Sequence, residues 1–234
     1  MTRKKTSAPD KGAAGRSLAP IDVLANYNFG PANVDGVSVY HVDDRHPRGD
    51  GPWTDEADKT AWWDEKTGLA CIIRRAKNGS LAGFVAVPRG HDLFGFDHVA
   101  IRPLGVVVHG GLNYSEPCNE SEVESVSVCH VPRVRTLLAE QITGSRLDVD
   151  HELWWFGFSC DHSYDFVPKP NSRPGAGLKI VHGHDVAQTY RDEGYVYTQV
   201  VQLAAQLKAL GDGDDMPGIA FPPPPLGLDR KEGR

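Results

Sequence analysis

No run of apolar residues in the 234-residue sequence approaches the ~18 needed to span a bilayer as a helix. This excludes a transmembrane helix, and no membrane partner is expected. Cysteine is scarce: Cys71, Cys118, Cys129 and Cys160 form no C-x-x-C pair. The spacing of Cys118, Cys129-His130 and Cys160-x-His162 fits no compact zinc module, and a disulfide framework is not expected in a cytosolic chain of this size. Also missing are a Walker loop, a G-x-G-x-x-G fingerprint and a G-x-S-x-G elbow around Ser115. ATPase, dinucleotide-binding and elbow-serine readings therefore lose their support. Basic residues are in deficit, 25 Lys and Arg against 31 Asp and Glu, for a net charge of −6. Phosphate-backbone binding relies on the opposite excess, so nucleic acid is not an expected partner. Arg74, Arg75 and Lys77, with Gly79 just beyond, read as a solvated hairpin. The first residues are basic and carry no apolar stretch suited to a signal peptide, so the expected location is cytoplasmic.

What is present is ordinary for a globular chain: 40% hydrophobic and 24% charged residues. Residues 1–20 and the Pro/Gly-rich residues 211–234 show no hydrophobic period and are expected to be disordered tails. Between them, short apolar runs broken by Gly and Pro favour strands. The candidates are Gly36–Val42, Leu69–Arg74, Leu81–Val87, Val99–His109 (broken near Pro103), Val123–Val128 and Leu153–Ser159. Asn78-Gly79 between two of these runs is a hairpin signal, because both residues tolerate positive φ. Leu153–Ser159 is apolar on both faces and suits a strand covered above and below. Two helices are expected. Val134–Ile142 is short. Tyr190–Leu210 repeats Val196, Val200, Leu203, Leu207 and Leu210 at helical steps, with Thr189 and Asp192 as a capping signal and Gly211 as a stop. The expected fold is a single α+β domain over residues 21–210, with a mainly antiparallel or mixed sheet and the long amphipathic helix packed on it.

Three segments end an apolar run in polar, chemistry-bearing groups, the place where rigid scaffold meets adaptable loop. The first, GFVAVPRGHDLFG, carries His91 and Asp92. The second, GVVVHGGLNYSE, carries His109 before Gly110-Gly111, then Tyr114. The third, LWWFGFSCDHSYDFVP, runs from Trp154 and Trp155 to Cys160, Asp161, His162 and Asp165. His162 and Asp165 are three apart, a spacing that lets a carboxylate orient an imidazole, as it does for general-base and metal-ligand histidines alike. Gly110-Gly111 has two readings: a tight turn with positive φ, or room for a ligand to approach the backbone. His109 likewise reads either as a core histidine or as a site residue. Burial after an apolar run makes Cys160 an inert thiol rather than a nucleophile. Together the segments suggest a pocket with catalytic His109, His162 and Asp165, and ligand-binding His91, Gly110, Gly111, Tyr114, Trp154 and Trp155. His109, Cys160 and His162 are the candidate metal ligands. A second histidine-rich stretch, His182-Gly-His184-Asp185, reads as a polar connection into the last helix.

At these same residues the chain resembles a family of proteins recurrent in tailed phages and prophages. Its members read GYV-x-VP-x-GHP, VHGGLTYS, WW-x-GFDCAH-x-x-D and YRD-x-x-YV; here the segments are GFVAVPRGHDLFG, VHGGLNYSE, WWFGFSCDHSYDF and YRDEGYVYTQV. The resemblance spans roughly residues 69–210 with the motifs in order. It implies a phage or prophage protein of the host cytoplasm and carries no established activity. Asp92 stands where the pattern has Pro, and Ser159 where it has Asp. The leading expectation is a small-molecule hydrolase acting on a nucleotide-like or phosphorylated substrate through the His/Asp site. The alternatives are a non-catalytic protein that binds a small molecule or a host protein, and a structural accessory protein.

Overall fold

The computed structural model describes residues 24–119, 121–131, 152–168 and 188–219. Among the described residues seven strands form: β1 (Ala25–Phe29), β2 (Ala32–Tyr40), β3 (Lys59–Trp63), β4 (Ala70–Arg75), β5 (Leu81–Pro88), β6 (Tyr114–Pro117) and β7 (Leu153–Ser159). All pair antiparallel in one open sheet of order β1-β2-β3-β4-β5-β7-β6. A long helix, α1 (Glu193–Asp212), packs on one face, so the α+β expectation holds. The expected helix at 134–142, the loop at 182–185 and residues 1–20 and 220–234 of the expected tails lie outside the described residues, as do residues 21–23 of the expected domain.

The Asn78-Gly79 signal works as expected. Ala76 N–H donates to the Ser80 carbonyl and Gly79 N–H to the Ala76 carbonyl, closing the turn between β4 and β5. Gly79 sits at φ 86°, the left-handed position that ends a three-residue hairpin loop. A Cβ there would also collide with the Pro168 carbonyl, so the glycine lets the chain after β7 cross the hairpin.

On α1, Val196, Val200, Leu203 and Leu207 are completely buried. They pack against Cys71, Ile73, Val85, Phe156 and Phe158. Each such side chain contributes roughly 1.5–3 kcal/mol on burial, and the four together fix the helix to the sheet. The cap is Asp192, whose carboxylate accepts from Tyr195 N–H; Thr189 instead bridges to Asp165. The helix runs through Gly211 and stops at Gly213, which takes φ 73°.

Two expected strands are absent. Val99–His109 forms turns and a 3-10 turn at Arg102–Leu104, since its last residues find their partners on the helix rather than on a strand. The buried Gln206 amide accepts from Val107 N–H and donates to the Val107 carbonyl, and Gln199 accepts from His109 N–H. Val123–Val128 is also turned, and Val123 is 70% exposed. A disulfide joins Cys118 to Cys129, with Cα atoms 5.3 Å apart, which corrects the expectation of unpaired thiols. Donors on β3 and β4 hold the segment it closes. Lys59 donates to the carbonyls of Glu124 and Cys129, and Arg74 to that of Val126; Trp63 donates to the neighbouring Val131 carbonyl. Burial lowers the Lys59 pKa to about 7.

The solvated reading of Arg75 is also overturned. Its guanidinium is fully buried, paired with Asp58 at 2.8 Å and Glu56 at 2.8 Å, and bonded to Tyr190 Oη at 2.8 Å. Glu56 in turn accepts from Glu193 N–H at the start of α1. This network anchors the N-terminal end of the helix to β4.

Candidate functional site

Three loops meet where α1 begins. After Val108 the chain turns through Gly110 and Gly111, both at positive φ (65° and 81°). After β7 it turns through residues 161–165, closed by Asp165 N–H donating to the His162 carbonyl. Backbone bonds between residues 164–166 and Thr189 tie that turn to the segment leading into the helix. His109, His162 and Asp165 thereby converge, with Arg191 and Tyr195 beside them.

Asp165 is the hub, and its side chain is fully buried. Oδ2 accepts from His109 Nε2 at 2.8 Å, His162 Nδ1 at 3.2 Å and His162 N–H at 3.1 Å; Oδ1 accepts from Arg191 Nε at 3.0 Å. Burial alone would raise its pKa, but the bonds from His109 and Arg191 outweigh this and hold the carboxyl below its ordinary value. An ionised carboxylate only accepts, which places a proton on Nε2 of His109 and on Nδ1 of His162. His109 Nδ1 then accepts from Tyr195 Oη at 2.9 Å, and burial pushes the pKa of that phenol up to about 12. His109 is thus completely buried with both ring nitrogens engaged.

His162 differs. Its side chain is 25% exposed, its ring stacks on Tyr164 with centroids 5.3 Å apart, and Nε2 has no hydrogen-bond partner among the described residues. A Cβ at Gly110 would overlap the His162 ring, so this glycine makes the turn at positive φ, and the space it clears is taken by a side chain rather than by a ligand. Gly111 faces open space.

The remaining expected residues separate from this cluster. His91 Nε2 donates to the Leu207 carbonyl at 2.8 Å and Nδ1 accepts from Leu93 N–H, so this ring serves the C-terminal part of the helix. Leu207 lies roughly 18 Å along α1 from Tyr195 at 1.5 Å per residue. Trp154 and Trp155 point to opposite faces of the sheet, as neighbours on a strand must. Trp155 is buried in the cluster away from the helix, and Tyr114 packs there too, edge-on to Phe84. Trp154 shares the helix face but sits at the far end of β7, donating to the Phe96 carbonyl. The rings around the histidines are Tyr164 and Tyr195, so the expected tryptophan-walled pocket is not formed. Cys160 is buried, with its thiol pKa pushed up by burial, as expected of an inert thiol. Ser159 bonds Asp161 and Asn113 near the surface. Ser115 meets His98 through Nδ1, the same nitrogen that faces Asp97, so these three do not form a relay.

The ligand atoms of His109, His162 and Asp165 lie within 4.8 Å of one another, and Cys160 is not part of that group. Their spacing is that of hydrogen bonds, and a cation there would compete with the Arg191 guanidinium on the same carboxylate. Arg191 is on Oδ1, however, and the two imidazoles are on Oδ2, so the group has the ligand atoms for a metal ion as well as the partners of a proton relay. Sequence reasoning missed Arg191 and Tyr195, which read as the opening of a helix. Their signal was their place in the YRDEGYVYTQV motif, one of three motifs that meet here. No family model, curated protein or solved structure matches the chain. Among the described residues, no helix is long and apolar enough to cross a membrane.

Proposed function

We propose that the protein is a phage or prophage small-molecule hydrolase of the host cytoplasm, acting on a phosphorylated or nucleotide-like substrate through a His162–Asp165 dyad. The observation that carries this reading is the division of work on one imidazole. Asp165 holds Nδ1, while Nε2 has no partner among the described residues and sits on a side chain that reaches the surface. A base needs a free lone pair and a partner that fixes its tautomer. His162 Nε2 takes a proton from water as the water attacks the substrate and returns it to the leaving group. Asp165, kept ionised by His109 and Arg191, stabilises the imidazolium in between. His109 touches no solvent and acts as a positioning residue for Asp165.

A non-catalytic binding role has one feature in its favour. The buried Asp165 carboxylate is already saturated by four donors and so holds the imidazoles and the guanidinium in fixed positions, as a binding site needs. The test is release of phosphate or nucleoside from a panel of phosphomonoesters, phosphodiesters and nucleotides. The hydrolase reading expects turnover that falls by about 10² or more in His162→Gln, in a variant whose circular dichroism matches the parent. Turnover that survives His162→Gln contradicts it. Absence of turnover, with a metabolite recovered unchanged on denaturing the purified protein, establishes the binding role instead.

A further inference from the structure

We infer that Arg191 is the recognition residue of this site, and that with His162 it takes a small ligand bearing an oxyanion, a phosphate or a carboxylate. The inference rests on the reading of His162 as the working group of the site. A guanidinium has five N–H donors. Arg191 commits Nε to Asp165 Oδ1, and its two terminal nitrogens have no hydrogen-bond partner among the described residues. The group is nonetheless mostly enclosed: its side chain is 15% exposed, and the guanidinium carbon lies 4.9 Å from the Tyr195 ring centroid. Neutralising Asp165 uses only one edge of the fork. The other edge is the one that matches two oxygens of a phosphate or carboxylate in parallel hydrogen bonds.

Two further features point the same way. Arg191 and His162 are bound to the same carboxylate, so the free guanidinium edge and the free imidazole nitrogen belong to one small region. Tyr164, stacked on His162, carries a buried hydroxyl with no hydrogen-bond partner among the described residues. A donor left unsatisfied in this way is costly unless an acceptor arrives. The space beside Gly111, next to the Gly110 against which the His162 ring lies, is open. Asp165 and Arg191 cancel in charge, so the buried carboxylate does not set a net negative charge against an incoming anion.

The test is a titration of the intact protein with inorganic phosphate and, separately, with acetate. It is read by nitrogen-15 NMR of the Arg191 Nε–H and the His162 ring, with the His91 ring as an internal reference. The expected result is a saturable shift at Arg191 and His162 together, with His91 unmoved. The anion that saturates at lower concentration identifies the headgroup class. Arg191→Gln is expected to weaken binding about tenfold or more, and Arg191→Lys less, as loss of charge-assisted bonds requires. No saturable shift at either residue in the parent protein overturns the inference, whether or not the variants fold. Equal binding by a folded Arg191→Gln variant overturns it too. Anion binding without turnover of any ester would sink the hydrolase reading and leave this one standing. Turnover indifferent to Arg191→Gln would do the reverse.

Discussion

Replacing Gly110 by alanine tests how the site is built. Gly110 and Gly111 are neighbours at φ 65° and 81°, so either substitution forces an L-residue into the left-handed region. That costs roughly 1–2 kcal/mol at each position. Only Gly110, however, lies beneath the His162 ring: a Cβ there overlaps the imidazole, whereas a Cβ at 111 meets nothing within 4 Å. Gly110→Ala must therefore also displace His162 and break its Nδ1–H bond to Asp165, which is charge-assisted and worth a further ~1.5–3 kcal/mol. The expectation is a loss of about 2.5–5 kcal/mol for Gly110→Ala against about 1–2 for Gly111→Ala. Urea unfolding of the two variants and the parent measures this, with the slope of the transition checked for constancy. Equal losses at the two positions would refute the claim that Gly110 exists to seat His162.

Other consequences are equally open to measurement. The Cys118–Cys129 disulfide closes a short loop, and removing it by Cys118→Ser should cost about 3 kcal/mol by loop-closure entropy, seen as a lower urea midpoint than the oxidised parent. If the cytoplasm is the working compartment, alkylation of a cell extract under denaturing conditions should block all four cysteines. An oxidised protein would leave Cys71 and Cys160 as the only free thiols. Burial raises the Glu193 pKa from 4.5 to about 7, with Glu56 adding to the rise and the Tyr27 hydroxyl opposing it. Between those values the folded state holds a proton that the unfolded state has released, so stability should fall as pH rises from about 4.5 to 7. Glu193→Gln should flatten that slope; an unchanged slope would mean another group is responsible.

The legible part of the fold was the part carried by local pattern. The β4–β5 hairpin announced itself through Asn78-Gly79, and the Val196–Leu207 stripe marked the helix, because in both cases neighbours in sequence are partners in space. β3 escaped notice because its five residues begin with Lys59, whose buried amine is satisfied by carbonyls some 65–70 positions away. Val99–His109 had strand composition, but its final residues bond two glutamines of α1, again a long-range partner. For the site, the His162–Asp165 spacing was readable, and strand-end logic drew His109 toward it. Arg191 and Tyr195 became visible only once the bridge between Asp165 and Thr189 placed the helix start against that turn. The placing of Trp154 and Trp155 in one wall was avoidable, since adjacent strand residues face opposite ways.

The central claim is that Asp165 fixes the two histidines in opposite tautomers and leaves His162 with a usable lone pair. Long-range proton–nitrogen NMR of the imidazoles, at a pH where both rings are neutral, reads this directly. The expected result is His162 protonated on Nδ1 with a bare Nε2, and His109 protonated on Nε2, with the His162 pattern lost in Asp165→Asn. A His162 ring carrying its proton on Nε2, or unaffected by Asp165→Asn, would contradict it.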